Sequence, residues 1–203
     1  MSATLQRRPL VKTILEGADD NLLVIAGLGS SNWDITAAGD RPLNMPLWGS
    51  MGATVPMGLG LAFAQPTKRV LVITGDADVM MSLGSLATVA TQQPENLAIV
   101  VLDNEKFGET GNQASHTSPR NNGPTDSGAG ADLATIARGC GIADVDTVRE
   151  AAEVARLVKD ARTTKGPIFR LVKVMVEKLE FVMPPQDGAH LKDRFRQALL
   201  GHP

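Results

Sequence analysis

An acidic side chain and an amide side chain follow two successive apolar runs of the sequence, and both could bind a hard cation. Asp76 and the preceding Gly75 follow the run at residues 70–74, and Asp103 and Asn104 follow the run at residues 97–102. If the two runs are neighbouring parallel strands, their carboxyl ends meet at the edge where open α/β sheets bind ligands. Mg²⁺ prefers oxygen ligands and shares its coordination shell with phosphate oxygens and water. The spacing therefore predicts a magnesium ion that carries a diphosphate.

Each of the two residues has an alternative role when it is considered alone. Asp76 could cap the N-terminus of a helix, and Asn104 could form a turn, because both residue types favour those positions. Gly75 and Ala77 favour the binding interpretation, since small side chains let the backbone approach phosphates closely. The helix expected after Asp76 would also direct its free N–H groups at the anion.

Two segments resemble the signature of thiamine-diphosphate-dependent enzymes. Residues 75–77 and Asn104 resemble the family's Gly-Asp-Gly or Gly-Asp-Ala start, which is followed after a helix and a strand by Asn. Residues 48–56, Trp-Gly-Ser-Met-Gly-Ala-Thr-Val-Pro, resemble the segment that holds the aminopyrimidine ring in pyruvate-decarboxylase-like enzymes. The resemblance covers roughly residues 20–175 and only the diphosphate-binding domain of that family. It implies thiamine diphosphate and Mg²⁺ as cofactors.

The resemblance also implies roles for individual residues. The side chains of Asp76 and Asn104 and the backbone carbonyl of Lys106 would coordinate Mg²⁺. Gly49 would accept a hydrogen bond from the cofactor's amino group, and Met51 would wedge beneath the bend between its two rings, although Met51 alone could equally be a core residue at a helix start. The implied cofactor contacts are Gly49, Ser50, Met51, Gly75, Asp76, Ala77, Asn104, Lys106, Phe107 and Gly108.

Asp78 departs from the family's pattern, in which a serine usually serves the diphosphate at that position. A carboxylate beside a diphosphate is repulsive unless it points away. We therefore expect Asp78 to cap the following helix, and we expect backbone N–H groups to hold the diphosphate.

A polar segment, residues 105–130, follows the second metal ligand and contains almost no apolar residues. A loop of this length inside a compact domain is usually functional or disordered. Glu109 could relay protons as a catalytic residue, and His116 is a second catalytic candidate, although a solvated side chain explains either residue equally simply. Lys106 and Arg120 could contact an acidic substrate. Further polar candidates are Asn112, Gln113, Ser30, Ser31 and Asn32.

The alternation of apolar runs and helical patterns predicts an α/β fold, a doubly wound parallel sheet with helices on both faces. Strands are expected at residues 22–28, 69–74, 97–102 and 167–176. Helices are expected at residues 52–65, at 79–91, from 132 onward, and from a capping box at 147–150 to 164, whereas 30–48 and 105–130 are expected to be loops. We treat residues 1–203 as one domain with a C-terminal extension, 177–203, whose helix at 184–203 docks on a neighbouring chain.

Composition narrows the possible functions. The 203 residues, 43% of them hydrophobic, suffice for one α/β domain with a core. A net charge of −2 and the lack of a basic stripe argue against nucleic-acid binding. The single cysteine, Cys140, excludes an iron–sulfur cluster held by cysteines of this chain. No apolar stretch reaches the about 20 residues of a membrane span, so we expect no membrane association and a cytoplasmic protein.

The resemblance leaves half of an active site unaccounted for. In the family, an activating glutamate comes from a separate pyrimidine-binding domain, for which 203 residues leave no room. We therefore expect an α-type partner subunit that supplies this glutamate. Residues 102–113 resemble split sulfopyruvate decarboxylases and phosphonopyruvate decarboxylases, which implies a lyase that releases CO₂ and an aldehyde from a small 2-oxo acid. The alternatives are an acetolactate-synthase-like carboligase subunit or a non-catalytic scaffold subunit.

Overall fold

A computed structural model describes residues 4–119 and 130–202 of the chain. The strands are β1 (Leu22–Ala26), β2 (Asn44–Pro46), β3 (Arg69–Gly75), β4 (Leu97–Asp103), β5 (Lys106–Phe107), β6 (Gln113–Ala114), β7 (Asp144–Val148) and β8 (Ile168–Lys173). The helices are α1 (Arg7–Leu15), α2 (Ser30–Ala37), α3 (Thr54–Ala64), α4 (Asp76–Met81), α5 (Gly84–Gln92), α6 (Leu133–Gly139), α7 (Val154–Arg162) and α8 (Gly188–Leu200). No helix in the described ranges is both long and apolar enough to cross a bilayer.

Six parallel strands form the central sheet in the order β2-β1-β3-β4-β8-β7, which confirms the predicted doubly wound fold. From β1 the chain moves outward to β2 and then returns to the other side of β1 as β3. This reversal is a topological switch point, where ligands of open α/β sheets bind. Gly75 pairs with Leu102 in the β3–β4 register, so Asp76 and Asn104 leave the sheet at neighbouring strand ends.

Helices cover both faces of the sheet, and each face has its own apolar core. On one face, α1, α2 and α7 pack on the sheet through residues such as Ile14, Ile35 and Leu157. On the other face, α3, α5, α6 and α8 contribute residues such as Leu59 and Phe195. Because both faces are covered, the central strands are continuous apolar runs.

The prediction that residues 30–48 form a loop is wrong, because the segment contains α2 and β2. Three of the buried residues of α2 are polar, namely Ser31, Asn32 and Asp34, so the helix shows no apolar periodicity in the sequence. The segment 105–130 was also expected to be a loop, yet its described part contains the antiparallel ribbon β5–β6 and a 3₁₀ turn. Arg120 lies outside the described residues.

Two predicted helix boundaries are also wrong. The helix expected at 79–91 begins earlier, at Asp76, and is interrupted between α4 and α5. The capping box expected at 147–150 is instead formed by Glu150 and Glu153. Thr147 belongs to β7, where it pairs with Leu171 of β8, and tertiary pairing of this kind outweighs a local capping pattern. Helix α1 was not predicted at all.

The expectation that the C-terminal helix docks on a neighbouring chain is wrong. Leu191 and Phe195 of α8 are buried against this chain itself, and Arg194 forms an ion pair with Asp40 at 2.6 Å. An amphipathic pattern shows that one helix face is buried but does not show which chain buries it.

Candidate functional site

A cavity of about 150 Å³ lies at the carboxyl ends of β1, β3 and β4, where the sequence predicted a ligand. The predicted site residues that line it are Met51, Gly75, Asp76, Ala77, Asn104, Lys106, Phe107, Gly108 and Glu109. The polar candidates Ser30 and Ser31 line it as well, whereas Asn32, Asn112 and Gln113 do not. The other lining residues are Arg7, Leu28, Asp78, Leu102 and Thr110. Gly49, Ser50 and His116 do not line it. The strand order therefore brings together most of the residues that the sequence singled out.

Asp76 is the most deeply buried acid on the cavity wall, with 2% of its surface exposed. Ser115 Oγ donates to Asp76 Oδ2 at 2.5 Å, and Thr117 Oγ1 lies 2.9 Å from the same oxygen. Burial and, to a lesser extent, the charge of Asp103 together raise the pKa of Asp76 to about 6, against the hydrogen bonds from the two hydroxyls, which lower it. A carboxylate that is costly to ionise gains strongly from a nearby cation. Asp76 is therefore suited to metal binding.

A second acid, Asp103, supports Asp76 from the tip of β4. Thr117 Oγ1 lies 2.9 Å from Asp103 Oδ1 as well, so its single proton can be donated to only one of the two carboxylates at a time. Lys173 Nζ donates to Asp103 Oδ2 at 2.7 Å and to Glu105 Oε1 at 2.6 Å. Burial alone would lower the pKa of Lys173, but its hydrogen bonds to these two acids raise it overall.

Sequence reasoning missed these supporting residues. Ser115 and Thr117 flank His116, and alternate positions of an extended segment face the same side. A serine and a threonine two positions apart therefore predict two hydroxyls on one side of the segment, and this signal could have been used. Lys173 offered no signal, because its position beside Asp103 depends on the pairing of β8 with β4.

Asn104 has the turn role that the sequence offered as its alternative, and its role as a metal ligand stays a prediction. Its Oδ1 accepts a hydrogen bond from the backbone N of Lys106 at 3.0 Å, so it does form a turn. The amide oxygen has a second lone pair, which can still face a cation. The turn places Asn104 and Lys106 together on the cavity wall.

The donor set fits a magnesium ion that is shared with a phosphate. Within residues 4–119 and 130–202, no group of three or more His, Cys, Asp and Glu side chains could hold a metal. An ion at Asp76, Asn104 and the Lys106 carbonyl would therefore need further oxygen ligands, which is how Mg²⁺ binds phosphorylated ligands. A Cβ atom built on Gly75 would meet nothing within 4 Å, so the backbone there borders open space that a larger side chain would occupy.

Asp78 does not cap a helix, contrary to prediction. The N-cap of α4 is Gly75, and no side chain caps it. Asp78, 5% exposed, accepts hydrogen bonds from the Gly52 backbone N at 2.7 Å and from Thr74 Oγ1 at 2.6 Å. Because each carboxylate oxygen has a donor, Asp78 ties the turn at residues 49–52 to the end of β3.

The turn at residues 49–52 has an unusual backbone. Gly49 and Gly52 have φ values of 76° and 91°, and Ser50 has a φ of 52°, which is costly for a residue with a side chain. Trp48 Nε1, just before the turn, donates to the Pro185 carbonyl at 2.9 Å. The C-terminal segment and Asp78 thus hold the turn that presents Met51 to the cavity. The roles predicted for Gly49 and Ser50 stay predictions.

The two catalytic candidates of the polar segment occupy different places. Glu109 lies on the cavity wall against Gly29, since a Cβ atom on Gly29 would lie 2.6 Å from Glu109 Oε1. Burial raises the pKa of Glu109, and Arg7 opposes that rise. His116 is exposed and packs edge-on against Phe107 with ring centroids 6.0 Å apart. Only Glu109 is positioned to act on a ligand in the cavity.

Comparison with known proteins points to the same region of the chain. Residues 29–171 match the family model described as "Thiamine pyrophosphate enzyme, C-terminal TPP binding domain". The sulfopyruvate decarboxylase subunit beta of Methanocaldococcus jannaschii is 34% identical over 96% of this chain and 97% of its own length. A phosphonopyruvate decarboxylase of Streptomyces viridochromogenes is 30% identical over 85% of this chain but only 41% of its own length.

The fold has relatives among solved structures. The 2-oxoglutarate:ferredoxin oxidoreductase from Magnetococcus marinus superposes with a TM-score of 0.70 over 97% of this chain and 78% of that chain, at 18% identity. At this level of identity the likeness shows the fold alone.

Proposed function

This chain belongs to the thiamine pyrophosphate enzyme family, and we propose that it is the diphosphate-binding subunit of a Mg²⁺-dependent 2-oxo-acid decarboxylase. The observation that carries the proposal is the cavity wall, where Asp76, Asn104 and Lys106 meet at adjacent strand ends with Met51 beside them. The match to a sulfopyruvate decarboxylase β subunit along almost its whole length supports the reaction type. The proposed substrate is a small 2-oxo acid, and the products are CO₂ and an aldehyde.

Each part of the cavity would have a defined task in this reaction. When it is bound, thiamine pyrophosphate supplies the reactive carbon and the electron sink for loss of CO₂. Asp76, Asn104 and the Lys106 carbonyl would hold Mg²⁺ and, through it, the diphosphate. Met51 would support the bent cofactor from a turn that Asp78 fixes.

Glu109 would hold and deliver a proton at the cavity wall. Burial raises the pKa of Glu109, and a general acid works best when its pKa lies close to the working pH. Its place beside Gly29 puts the carboxyl at the cavity wall. The catalytic role predicted for His116 stays a prediction, because its side chain does not line the cavity.

The proposal includes a partner subunit with a pyrimidine-binding domain and the activating glutamate. The word "beta" in the relatives' names supports such a partner. Met81, which is 63% exposed, lies against the turn at residues 49–52, where a Cβ atom on Gly52 would be 3.0 Å from Met81 Cβ. We propose that the partner covers this side chain.

Purification of the full chain with its partner tests the proposal. The complex would be assayed with sulfopyruvate and phosphonopyruvate, with pyruvate as the control substrate that lacks the second acid group. We expect equal amounts of CO₂ and aldehyde, with the reaction abolished by omission of thiamine pyrophosphate or chelation of Mg²⁺. An acyloin or acetolactate product would indicate a carboligase instead. No turnover and no cofactor binding by a stable complex would indicate a scaffold subunit.

A further inference from the structure

A buried arginine reaches the cavity from outside both cofactor-binding segments. Arg7 of α1 is only 6% exposed, and it lines the cavity together with Ser30, Ser31 and Glu109. It precedes the region matched by the family model, which begins at residue 29. A guanidinium is costly to bury unless its charge is compensated and its N–H groups are paired. We therefore expect the buried Arg7 guanidinium to have partners for its charge and for its N–H groups.

Structural pairing accounts for only part of the Arg7 side chain. Its Nε lies 2.6 Å from Oδ2 of Asp34, which is fully buried in α2. Arg8 already compensates that carboxylate, because its Nε donates to Asp34 Oδ1 at 3.0 Å. Within the described residues, the two terminal nitrogens of Arg7 donate no hydrogen bond to the protein. These two terminal nitrogens form a planar donor pair, which suits a phosphate and remains available to a ligand in the cavity.

Other charged groups surround Arg7, and none of them uses this donor pair. Glu177 accepts a hydrogen bond from the backbone N of Arg7 at 2.8 Å. Glu109 interacts with Arg7 electrostatically from the cavity wall.

The position of Arg7 identifies the part of a ligand that it would meet. Met51 precedes α3, which packs on one face of the sheet, whereas α1 packs on the opposite face. Asp76 lies between them at the end of β3. The cavity therefore runs across the sheet edge from Met51, past the proposed metal ligands, to Arg7. A cofactor with its rings at Met51 and its metal at Asp76 would direct its tail toward Arg7.

We infer that the Arg7 guanidinium binds the terminal phosphate of thiamine pyrophosphate, in place of the serine that the family usually offers at position 78. This inference rests on the proposed function. A guanidinium can bind a phosphate through two parallel charge-assisted hydrogen bonds. Asp78 cannot supply such a contact, because its oxygens accept hydrogen bonds from Gly52 and Thr74.

Calorimetry on the full chain with its co-purified partner and Mg²⁺ tests the inference. Thiamine pyrophosphate and thiamine monophosphate would be titrated into wild type, Arg7→Gln and Arg8→Gln. Arg8 is the matched control because it lies on the same helix and pairs with the same Asp34 but does not line the cavity. We expect Arg7→Gln to weaken thiamine pyrophosphate binding by about tenfold or more. The affinity for thiamine monophosphate, and both affinities of Arg8→Gln, should stay within about twofold.

A second variant covers the case in which Arg7→Gln fails to fold. Arg7→Lys keeps the charge opposite Asp34 but loses the planar donor pair. In ³¹P NMR spectra of the bound cofactor, we expect Arg7→Lys to shift the terminal phosphorus resonance and to leave the inner one in place. Arg8→Gln should give the wild-type spectrum.

The outcomes separate this inference from the proposed function. If wild type does not bind thiamine pyrophosphate, the proposed function fails. If wild type binds it and Arg7→Gln retains the preference for the diphosphate, or weakens both ligands equally, only the role of Arg7 is refuted. A terminal phosphorus resonance that Arg7→Lys leaves unchanged would refute that role too, as would an effect confined to the KM of the 2-oxo acid.

Discussion

The end of strand β3 and the segment that follows β4 border the same cavity, but they are stabilised in different ways. At the end of β3, Asp76 and Asp78 are buried and bound by donors from distant parts of the chain. In the segment after β4, Thr110 and Gln113 are exposed and bond mainly to each other. The contrast is what we expect if the proposed metal site is fixed before ligands bind and the exposed part of the segment after β4 can adjust. Substitutions should therefore affect stability and binding at the end of β3, and turnover alone at exposed residues of the second segment such as Glu109.

The two acids at the end of β3 differ from each other as well. Both oxygens of Asp78 accept hydrogen bonds from the protein, whereas among the described residues only Oδ2 of Asp76 accepts them from other side chains. Burial and, after it, the charge of Asp103 make ionisation of Asp76 costly. One carboxylate is therefore structural, and the other is available to a cation.

The largest effect is expected from Asp76→Ala. Loss of the only carboxylate in the proposed donor set should weaken Mg²⁺-dependent binding of thiamine pyrophosphate by at least about 100-fold. Titration calorimetry of the complex with and without chelator measures this effect. Asp132→Ala serves as the control, because Asp132 caps α6 away from the cavity. Equal cofactor affinity in Asp76→Ala and wild type would contradict the metal assignment.

Asp76→Asn should stabilise the metal-free protein while it abolishes metal binding. The folded protein raises the pKa of Asp76 from 3.8 to about 6. Below pH 3.8 the acid is protonated in both states. Between pH 3.8 and about 6 the unfolded state ionises first, so the folded state loses up to about 3 kcal/mol relative to a neutral side chain, and the loss is complete above about pH 6. Urea unfolding at pH 4.5 and pH 8 should show a gain for Asp76→Asn that is larger at pH 8. A gain that does not depend on pH would show that ionisation is not its cause.

Asp78→Ala tests whether the turn at residues 49–52 needs its carboxylate. The backbone N of Gly52 and the hydroxyl of Thr74 would lose their acceptor, which should cost about 2 kcal/mol of unfolding free energy. Cofactor affinity should fall at the same time. The control Asp132→Ala removes a genuine helix cap and should cost about 1 kcal/mol with cofactor affinity unchanged. If the cofactor affinity of Asp78→Ala equals that of wild type, cofactor binding does not depend on the hydrogen bonds that Asp78 gives the turn.

The smallest structural effects are expected in the segment after β4. Glu109→Gln should lower kcat by about 100-fold, within the usual range for a general acid, and should leave the melting temperature unchanged because the side chain is only partly buried at the cavity wall and remains exposed to solvent. His116→Ala is the matched control on the same segment and should change kcat by about twofold at most. Steady-state kinetics with thermal denaturation measures both quantities. A larger loss in His116→Ala than in Glu109→Gln would reverse the assignment.

The sequence predicted that Asp76 and Asn104 lie at one site because the signal for each is local. Asp76 and Asn104 each follow an apolar strand directly, so their position at the sheet edge follows from strand alternation alone. Their supports could not be predicted in the same way. Lys173 reaches Asp103 only because β8 pairs with β4, and Asp78 meets Gly52 only because a turn after β2 returns to the end of β3.

The fold was predictable where burial leaves a pattern in the sequence. Strands β1, β3 and β4 are continuous apolar runs and were found. Helix α2 was missed because Asn32 and Asp34 on its buried side are polar. Arg7 was missed because a charged residue near the N-terminus is normally exposed, and only the structure shows it inside the cavity.

A structure of the assembled complex with thiamine pyrophosphate and Mg²⁺ tests the central claim most directly. We expect the ion within about 2.0–2.1 Å of one Asp76 carboxylate oxygen and of the Asn104 amide oxygen, with diphosphate oxygens in the remaining positions. A cofactor bound elsewhere, or an ion in the cavity that neither residue coordinates, would contradict the account.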